Sequence, residues 1–119
     1  MKAQNHSIGP EHVNDKGGNP IEIGVVVVWQ IEDTYRALFD VENYYSFVQI
    51  QAQAAIRDLA GQFPYDTFDE HDEESLTLRG GKAEVQHILE KELTARFSRA
   101  GIKVIEARIS HLSYAPEIA

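Results

Sequence analysis

The sequence predicts an α+β fold in which a small sheet carries two or three packed helices. Three observations lead to this class: a long alternating strand over residues 21–32, two segments with helical spacing over residues 44–61 and 82–100, and a second alternating strand over residues 102–112. The predicted order is strand, helix, helix, strand, followed by the start of a further helix.

The first of these strands has the clearest pattern in the sequence. Its alternate positions are apolar throughout, whereas the positions between them are polar only at the two ends. Such a strand is expected to be buried on one face and partly covered at the centre of the other. The apolar positions are Ile21, Ile23, Val25, Val27, Trp29 and Ile31.

A turn-rich segment over residues 14–20 precedes this strand and indicates a hairpin whose first strand lies before Asn14. Residues 1–13 have a poor strand pattern, however, so a piece of the sheet is expected to be missing there. We therefore predict that residues 1–12 are an unstructured leader or an artificial extension.

Two amphipathic helices are predicted between the strands. Asp40 or Asn43 can cap the first, and Gly61 is a plausible stop signal at its end. Gly101 ends the second helix. The positions expected to face the core are Val48, Ala52, Ala55, Ile56 and Leu59 in the first helix, and Val85, Ile88, Leu89, Leu93 and Phe97 in the second.

Two connecting segments and the C-terminal region complete the prediction. Residues 35–39 form a short helical turn, and residues 66–81 form an acidic loop with room for a short helical piece. After the last strand, Pro116 and Glu117 begin a helix, because proline is favoured at the first helical position. In that strand Ile105, Ala107 and Ile109 are predicted to be buried, and Glu106, Arg108 and Ser110 to face water.

Composition excludes several classes of function. The chain has 119 residues, which suit one domain, and a formal net charge of −8, which disfavours binding to nucleic acid. It contains no cysteine, so disulfides, thiolate catalysis and cysteine-ligated zinc are excluded. No stretch approaches the roughly 20 apolar residues that span a bilayer, so the fragment is expected to be soluble.

A search for chemical motifs gives no assembled site. The acidic run over residues 69–74 lacks the ligand spacing and the glycine of a calcium loop. His87 lacks matching ligands on a partner helix, and Ser110 and His111 are expected to point to opposite faces of a strand. The glycine pair at 80–81 is too short for a phosphate loop. We therefore predict no catalytic residues, no cofactor and no metal site.

Three stretches of the chain form a recognisable set. They are residues 14–31, residues 37–48, and the closing ARISHLSYAPEIA with the glutamate before it. Together they resemble the SPFH domain, also called the Band 7 or prohibitin-homology domain, of the stomatin–prohibitin–flotillin superfamily. The resemblance covers about residue 13 to the end of the chain, and its last block is the most specific.

This resemblance implies a strongly curved, mostly antiparallel sheet with helices packed on it. It places the SPFH domain at residues 13–115 and the start of a truncated coiled-coil helix at residues 116–119. The chain then represents an excised domain, with a membrane segment before it and a long helix after it in the parent protein. The family offers no catalytic residues to transfer to this sequence.

The resemblance also implies a function, namely a non-enzymatic scaffold that oligomerises in a membrane-associated protein. Such proteins organise membrane microdomains or regulate membrane proteins and proteases. The expected partners are further copies of the chain, membrane lipids reached through segments absent here, and membrane proteases or other membrane proteins, but no nucleic acid. The alternative from the residues alone is a soluble ligand-binding or regulatory domain with a pocket between sheet and helices.

Overall fold

The computed structural model describes residues 3–32, 41–66 and 76–115. Five elements follow in order: β1 (Gln4–Asn14), β2 (Pro20–Ile31), α1 (Val41–Gln62), α2 (Lys82–Ser98) and β3 (Ile102–Tyr114). The strands form one antiparallel sheet in the order β1-β2-β3. The predicted α+β class is confirmed. The predicted turn at 35–39, the acidic run at 69–74 and residues 116–119 lie outside the described residues.

Both helices lie on one face of the sheet and supply the core together with β2. All six predicted apolar positions of β2 and all five of α1 are buried. In α2 four of the five are buried, and Ile88 is partly buried against them. The helix α1 continues through Gly61 and ends at Gln62, whereas Gly101 after α2 has a φ of 74° and terminates that helix as predicted.

The strand β1 corrects the prediction of an unstructured leader at residues 1–12. Residues Gln4–Asn14 pair with β2 along its length, and the turn at residues 15–19 joins the two strands as a hairpin. A bulge between Ile8 and Glu11 shifts the alternation, so Ile8 and Val13 both point to the core. Because these two residues are an odd number of positions apart, the apolar pattern of a regular strand is lost.

Polar side chains between β1 and α1 also obscure the strand pattern. Tyr45 of α1 donates a hydrogen bond to Gln4 Oε1 at 2.6 Å, and Gln53 donates one to Glu11 Oε1 at 2.9 Å. His6 Nε2 lies 2.7 Å from Gln49 Oε1. The register places Gln4, His6 and Glu11 opposite buried residues of β2, so all three face the helices. This contact is a polar seam rather than an extension of the apolar core. The seam consists of the residue pairs Gln4–Tyr45, His6–Gln49 and Glu11–Gln53.

Two bulges interrupt the alternation that was predicted for β3. The register skips Ile105 between Val28 and Trp29 of β2, and it skips Ser110 between Gly24 and Val25. Ala107 is fully buried as predicted, but the Ile105 side chain is 48% exposed. Pairing of Val104 with Trp29 places Val104, not Ile105, on the helix-covered face.

Candidate functional site

The histidine on α2 does not join a ligand cluster. His87 and Glu84 are exposed, whereas Glu90 is half-buried and reaches the backbone of β3. Asp58, an acidic residue of the neighbouring helix α1, accepts a hydrogen bond from Arg96 at 2.6 Å and does not join His87. No group of three potential metal-ligating side chains forms within residues 3–32, 41–66 and 76–115.

The pair Ser110 and His111 differs from the sequence prediction. Because Ser110 occupies a bulge, both side chains lie against the same side of Gly24, each with an atom 3.3 Å from where a Cβ at Gly24 would stand. The prediction that they point to opposite faces is therefore wrong. The side chain that does contact the imidazole is Ser113, whose Oγ lies 3.1 Å from His111 Nε2.

Glu22 approaches the same ring nitrogen, with Oε1 at 3.7 Å from His111 Nε2. A serine–histidine–carboxylate relay uses both ring nitrogens, one for the nucleophile and one for the carboxylate. Here both neighbours approach Nε2, so His111 cannot transmit a proton between them. The arrangement is a surface cluster on paired strands, which the i, i+2 spacing of His111 and Ser113 could have indicated.

The glycine pair at 80–81 forms a tight turn before α2. Gly80 N donates to Thr77 Oγ1 and Gly81 N donates to Thr77 O, both at 2.9 Å. A Cβ at Gly81 would collide with the Leu76 side chain. These amides are therefore bonded within the turn, and the glycines are required by close packing.

Asp15 is the most strongly engaged carboxylate among the described residues. It is buried, and it accepts hydrogen bonds from the Asn19 N–H at 2.8 Å, the Tyr65 N–H at 2.9 Å and the Asn19 side-chain amide at 3.3 Å. Burial alone raises the pKa of Asp15, but these hydrogen bonds outweigh it and leave the pKa below its ordinary value. The residue connects the β1–β2 turn to the segment that follows α1.

A groove of about 540 Å³ runs between the two helices. Arg96 spans it with hydrogen bonds to Asp58, Glu92 and Gln51. Burial raises the pKa of Glu92, partly offset by Arg96. Arg96 and Glu92 therefore satisfy each other, Arg99 adds a further positive charge, and Phe47 and Ala95 supply apolar lining.

Two smaller clefts lie at the margins between sheet and helices. One, of about 200 Å³, is bounded by β3 and the start of α2. The other, of about 460 Å³, lies between the end of β1 and α1. Between them, the contact of sheet and helices is filled by fully buried side chains such as Trp29, Ile56 and Leu89.

The outer edge of β3 is the most distinctive surface. Within the described part of the chain β3 pairs with β2 alone, so its opposite edge has no strand partner there. Glu90 Oε1 accepts a hydrogen bond from Ala107 N at 3.4 Å, which shows that this N–H points away from β2. Sequence patterns gave no sign of this contact, because it depends on how α2 packs under β3.

The open face of the sheet adjoins this edge. Val26 and Val28 are half-buried there, in agreement with the partial covering predicted for the centre of β2. Exposed Ile105 lies at the β3 bulge, while Glu106 and Arg108 pair with the two valines in register. A strand edge without a strand partner, beside a partly apolar face, is suited to contacts between proteins.

Comparison with known families agrees with this architecture. The model of the SPFH domain / Band 7 family matches residues 1–119, the whole chain. The chain belongs to the SPFH domain / Band 7 family. The resemblance seen in the sequence is thereby confirmed, and the match includes the β1 residues that the sequence prediction had placed outside the domain.

Two further findings complete the comparison. No curated protein matches the chain. None of the helices within the described ranges is long and apolar enough to cross a membrane.

Proposed function

We propose that this SPFH domain is a non-enzymatic scaffold module that self-associates within a membrane-associated protein. In this role it organises membrane microdomains or regulates membrane proteins and proteases. Membership of the SPFH domain / Band 7 family supports the membrane association and the scaffold role. The observation that carries the proposal is the outer edge of β3, which pairs with no further strand among the described residues and adjoins the partly apolar open face of the sheet.

The arrangement of polar groups also favours a scaffold over an enzyme. His111 contacts both of its polar neighbours through one ring nitrogen, and Arg96 is occupied by three side chains. These two groups are thus engaged with neighbouring side chains of the domain itself. A binding role for the apolar and backbone surfaces needs none of them.

The alternative of a ligand-binding domain required a pocket between sheet and helices. The interior of that contact is packed with buried side chains, and the two clefts at its margins are small or open to one side. This packing favours the scaffold. A thermal-shift screen tests the alternative, because a small molecule that binds the folded state raises the melting temperature.

The scaffold proposal is tested by the size of the assembly that the protein forms and by the cell fraction in which it is found. The natural gene product, expressed with a tag in its own cells, is expected in the membrane fraction as a large assembly on a detergent-containing size-exclusion column. The isolated chain is expected to associate reversibly in multi-angle light scattering. A gene product found in the soluble fraction as a monomer would refute the proposal.

A further inference from the structure

The cleft between β3 and the start of α2 is lined by cationic and hydroxyl-bearing side chains. Its polar lining residues are Tyr65, Arg79, Lys82, Ser110 and His111, and none of its lining residues within the described ranges is acidic. The whole chain has a formal net charge of −8. The grouping of positive side chains is therefore a local feature and does not reflect a basic composition.

The size of this cleft limits what it can hold. Its volume is about 200 Å³, and the partly buried side chains of Ile109 and Leu112 complete its lining. Sites for drug-sized ligands measure about 300–1,000 Å³. The cleft therefore suits a small anionic group rather than a large organic molecule.

Lys82 is the lining residue whose presence the fold explains least. It is the first residue of α2, where a positive charge opposes the helix dipole and an acidic residue would be favoured. Lys82 is exposed, and it takes part in none of the ion pairs formed among the described residues. A residue that conflicts with its local structure without a compensating contact is expected at functional sites.

Arg79 lines the same cleft from the turn before α2. Its backbone N–H donates to Tyr65 O at 3.0 Å, so the backbone at this point is held against the segment after α1. Arg79 Nη1 lies 3.0 Å from Asp66 Oδ2, but the arginine side chain is still 66% exposed. Because a guanidinium has five N–H donors, this ion pair leaves donors for a further anion.

The strand β3 contributes a hydroxyl and an imidazole to the cleft. Ser110 and His111 are both exposed, and each can donate a hydrogen bond to an anion. Glu22 approaches His111 Nε2 at 3.7 Å but is not among the residues that line the cleft. Two cations thus stand beside two neutral donors, a combination that suits an anion with several acceptor oxygens.

We propose that this cleft binds a terminal phosphate group, either free or as a monoester, through ion pairs with Lys82 and Arg79 and a hydrogen bond from Ser110. A guanidinium fork and an ammonium point charge on neighbouring segments match the oxygens and the charge of phosphate. Side chains hold the anion, because the N–H groups of Gly80 and Gly81 are already bonded to Thr77.

The inference goes beyond the proposed function, since it gives the domain itself a ligand. Inorganic phosphate and the head group of phosphatidic acid present the same terminal phosphate, and both are small enough at the phosphate end to enter the cleft. The scaffold role needs neither of them, so the two proposals can fail separately.

Titration with sodium phosphate tests the site in the isolated chain. Amide-resolved NMR spectra, at an ionic strength held constant with sodium chloride, should show saturable shifts at residues 79–84 and 109–112. The dissociation constant is expected in the millimolar range, because exposed charged contacts are weak. Lys82→Gln and Arg79→Gln should each weaken binding about fivefold. Lys91→Gln makes the same change of charge at an exposed site further along α2 and should leave binding unaltered.

The Lys82→Gln variant also separates binding from folding. Loss of a positive charge at the start of a helix does not destabilise it, so the melting temperature should equal or exceed that of the wild type. Acetate at the same ionic strength should give much smaller shifts than phosphate. If acetate binds as tightly as phosphate, or if Lys91→Gln weakens binding as much as Lys82→Gln, the phosphate site is overturned.

Vesicle flotation distinguishes the two sources of the phosphate. Phosphatidylcholine vesicles that contain phosphatidic acid are compared with vesicles of equal surface charge that contain phosphatidylserine. A preference for phosphatidic acid that Lys82→Gln weakens supports a lipid head group as the ligand, whereas binding of phosphate in solution alone supports a soluble phosphate. Binding of neither overturns the inference, and the membrane location and assembly of the natural gene product then decide the proposed function separately.

Discussion

The carboxylate of Asp15 accepts a 2.9 Å hydrogen bond from the backbone N–H of Tyr65, fifty residues further along the chain. The contact is buried, and the Tyr65 ring lies 4.2 Å, centroid to centroid, from the ring of Tyr114 at the end of β3. One carboxylate thus ties the β1–β2 turn to the segment after α1, and the tyrosine pair extends the connection to the third strand.

Removal of this carboxylate should destabilise the domain. Asp15→Ala leaves three donors without their acceptor and is expected to lower the free energy of unfolding by about 2–3 kcal/mol, because hydrogen bonds to a buried charged group are strong. Urea denaturation followed by circular dichroism measures the change. The matched control is Asp58→Ala. Asp58 forms a solvent-exposed ion pair with Arg96, and the loss of this pair should cost less than about 1 kcal/mol. Equal losses in the two variants would contradict the role given to Asp15.

The same residue should make stability depend on pH. Since the hydrogen bonds hold the folded-state pKa of Asp15 below 3.8, the folded protein binds this proton less readily than the unfolded chain. The resulting stabilisation is complete well above pH 3.8 and is lost as the pH falls below it, through the folded-state pKa. The difference in melting temperature between wild type and Asp15→Asn should therefore shrink as the pH is lowered from 6 to 3. A difference that stays constant, or grows, would show that ionisation of Asp15 is not involved.

Two isoleucines on α1 provide a matched test of the core. Ile56 is fully buried, whereas Ile50 is 60% exposed on the same helix. Ile56→Ala should lower the free energy of unfolding by about 2–5 kcal/mol, since it removes buried methyl groups and leaves a cavity. Ile50→Ala should change it by less than about 0.5 kcal/mol, because little apolar surface is lost and alanine favours the helix. A large effect at Ile50 would indicate that this position is covered by another copy.

Two glycines should respond in opposite ways to the same substitution. Gly61 lies within α1, and a Cβ there would meet no atom within 4 Å, so Gly61→Ala should stabilise the domain by about 0.5 kcal/mol. Gly9 has a φ of 86°, and a Cβ would stand 2.6 Å from Glu11 N and 2.9 Å from Ile23 O. Gly9→Ala should therefore lower the melting temperature strongly, and scanning calorimetry compares the two. Stabilisation by Gly9→Ala would contradict the bulge geometry.

The elements found from the sequence are those whose apolar pattern is regular. In β2 and α1 the predicted core positions match the burial, since each buried position repeats at the strand or helix period. The strand β1, the inward position of Ile105 and the opposite facing of Ser110 and His111 were mispredicted, because bulges at Ile8–Glu11, Ile105 and Ser110 shift the period by one residue. Such shifts come from pairing between distant strands, and local composition does not specify them.

The candidate surface, the outer edge of β3, was likewise only partly predictable from the sequence. The sequence predicts β3 as a strand, but the structure is needed to show that its outer edge pairs with no further strand among the described residues, whereas β2 is central and paired on both sides. The contact of Glu90 with Ala107 joins residues seventeen positions apart through the packing of α2 on β3. The helical period identifies the apolar stripe of α2, but it does not show which backbone group Glu90 reaches.

The polar seam between β1 and α1 explains how β1, which has few apolar residues, is fixed against the helix. The Tyr45 hydroxyl donates a 2.6 Å hydrogen bond to Gln4, and its ring makes an edge contact with Trp29 at 5.5 Å. Tyr45→Phe keeps the ring contact but removes the donor, so it should cost about 1 kcal/mol and speed hydrogen exchange of the first β1 amides. Tyr114→Phe, at a residue that is 43% exposed, serves as the control and should leave exchange in β1 unchanged. Unaltered exchange in both variants would mean that β1 depends on backbone pairing with β2 alone.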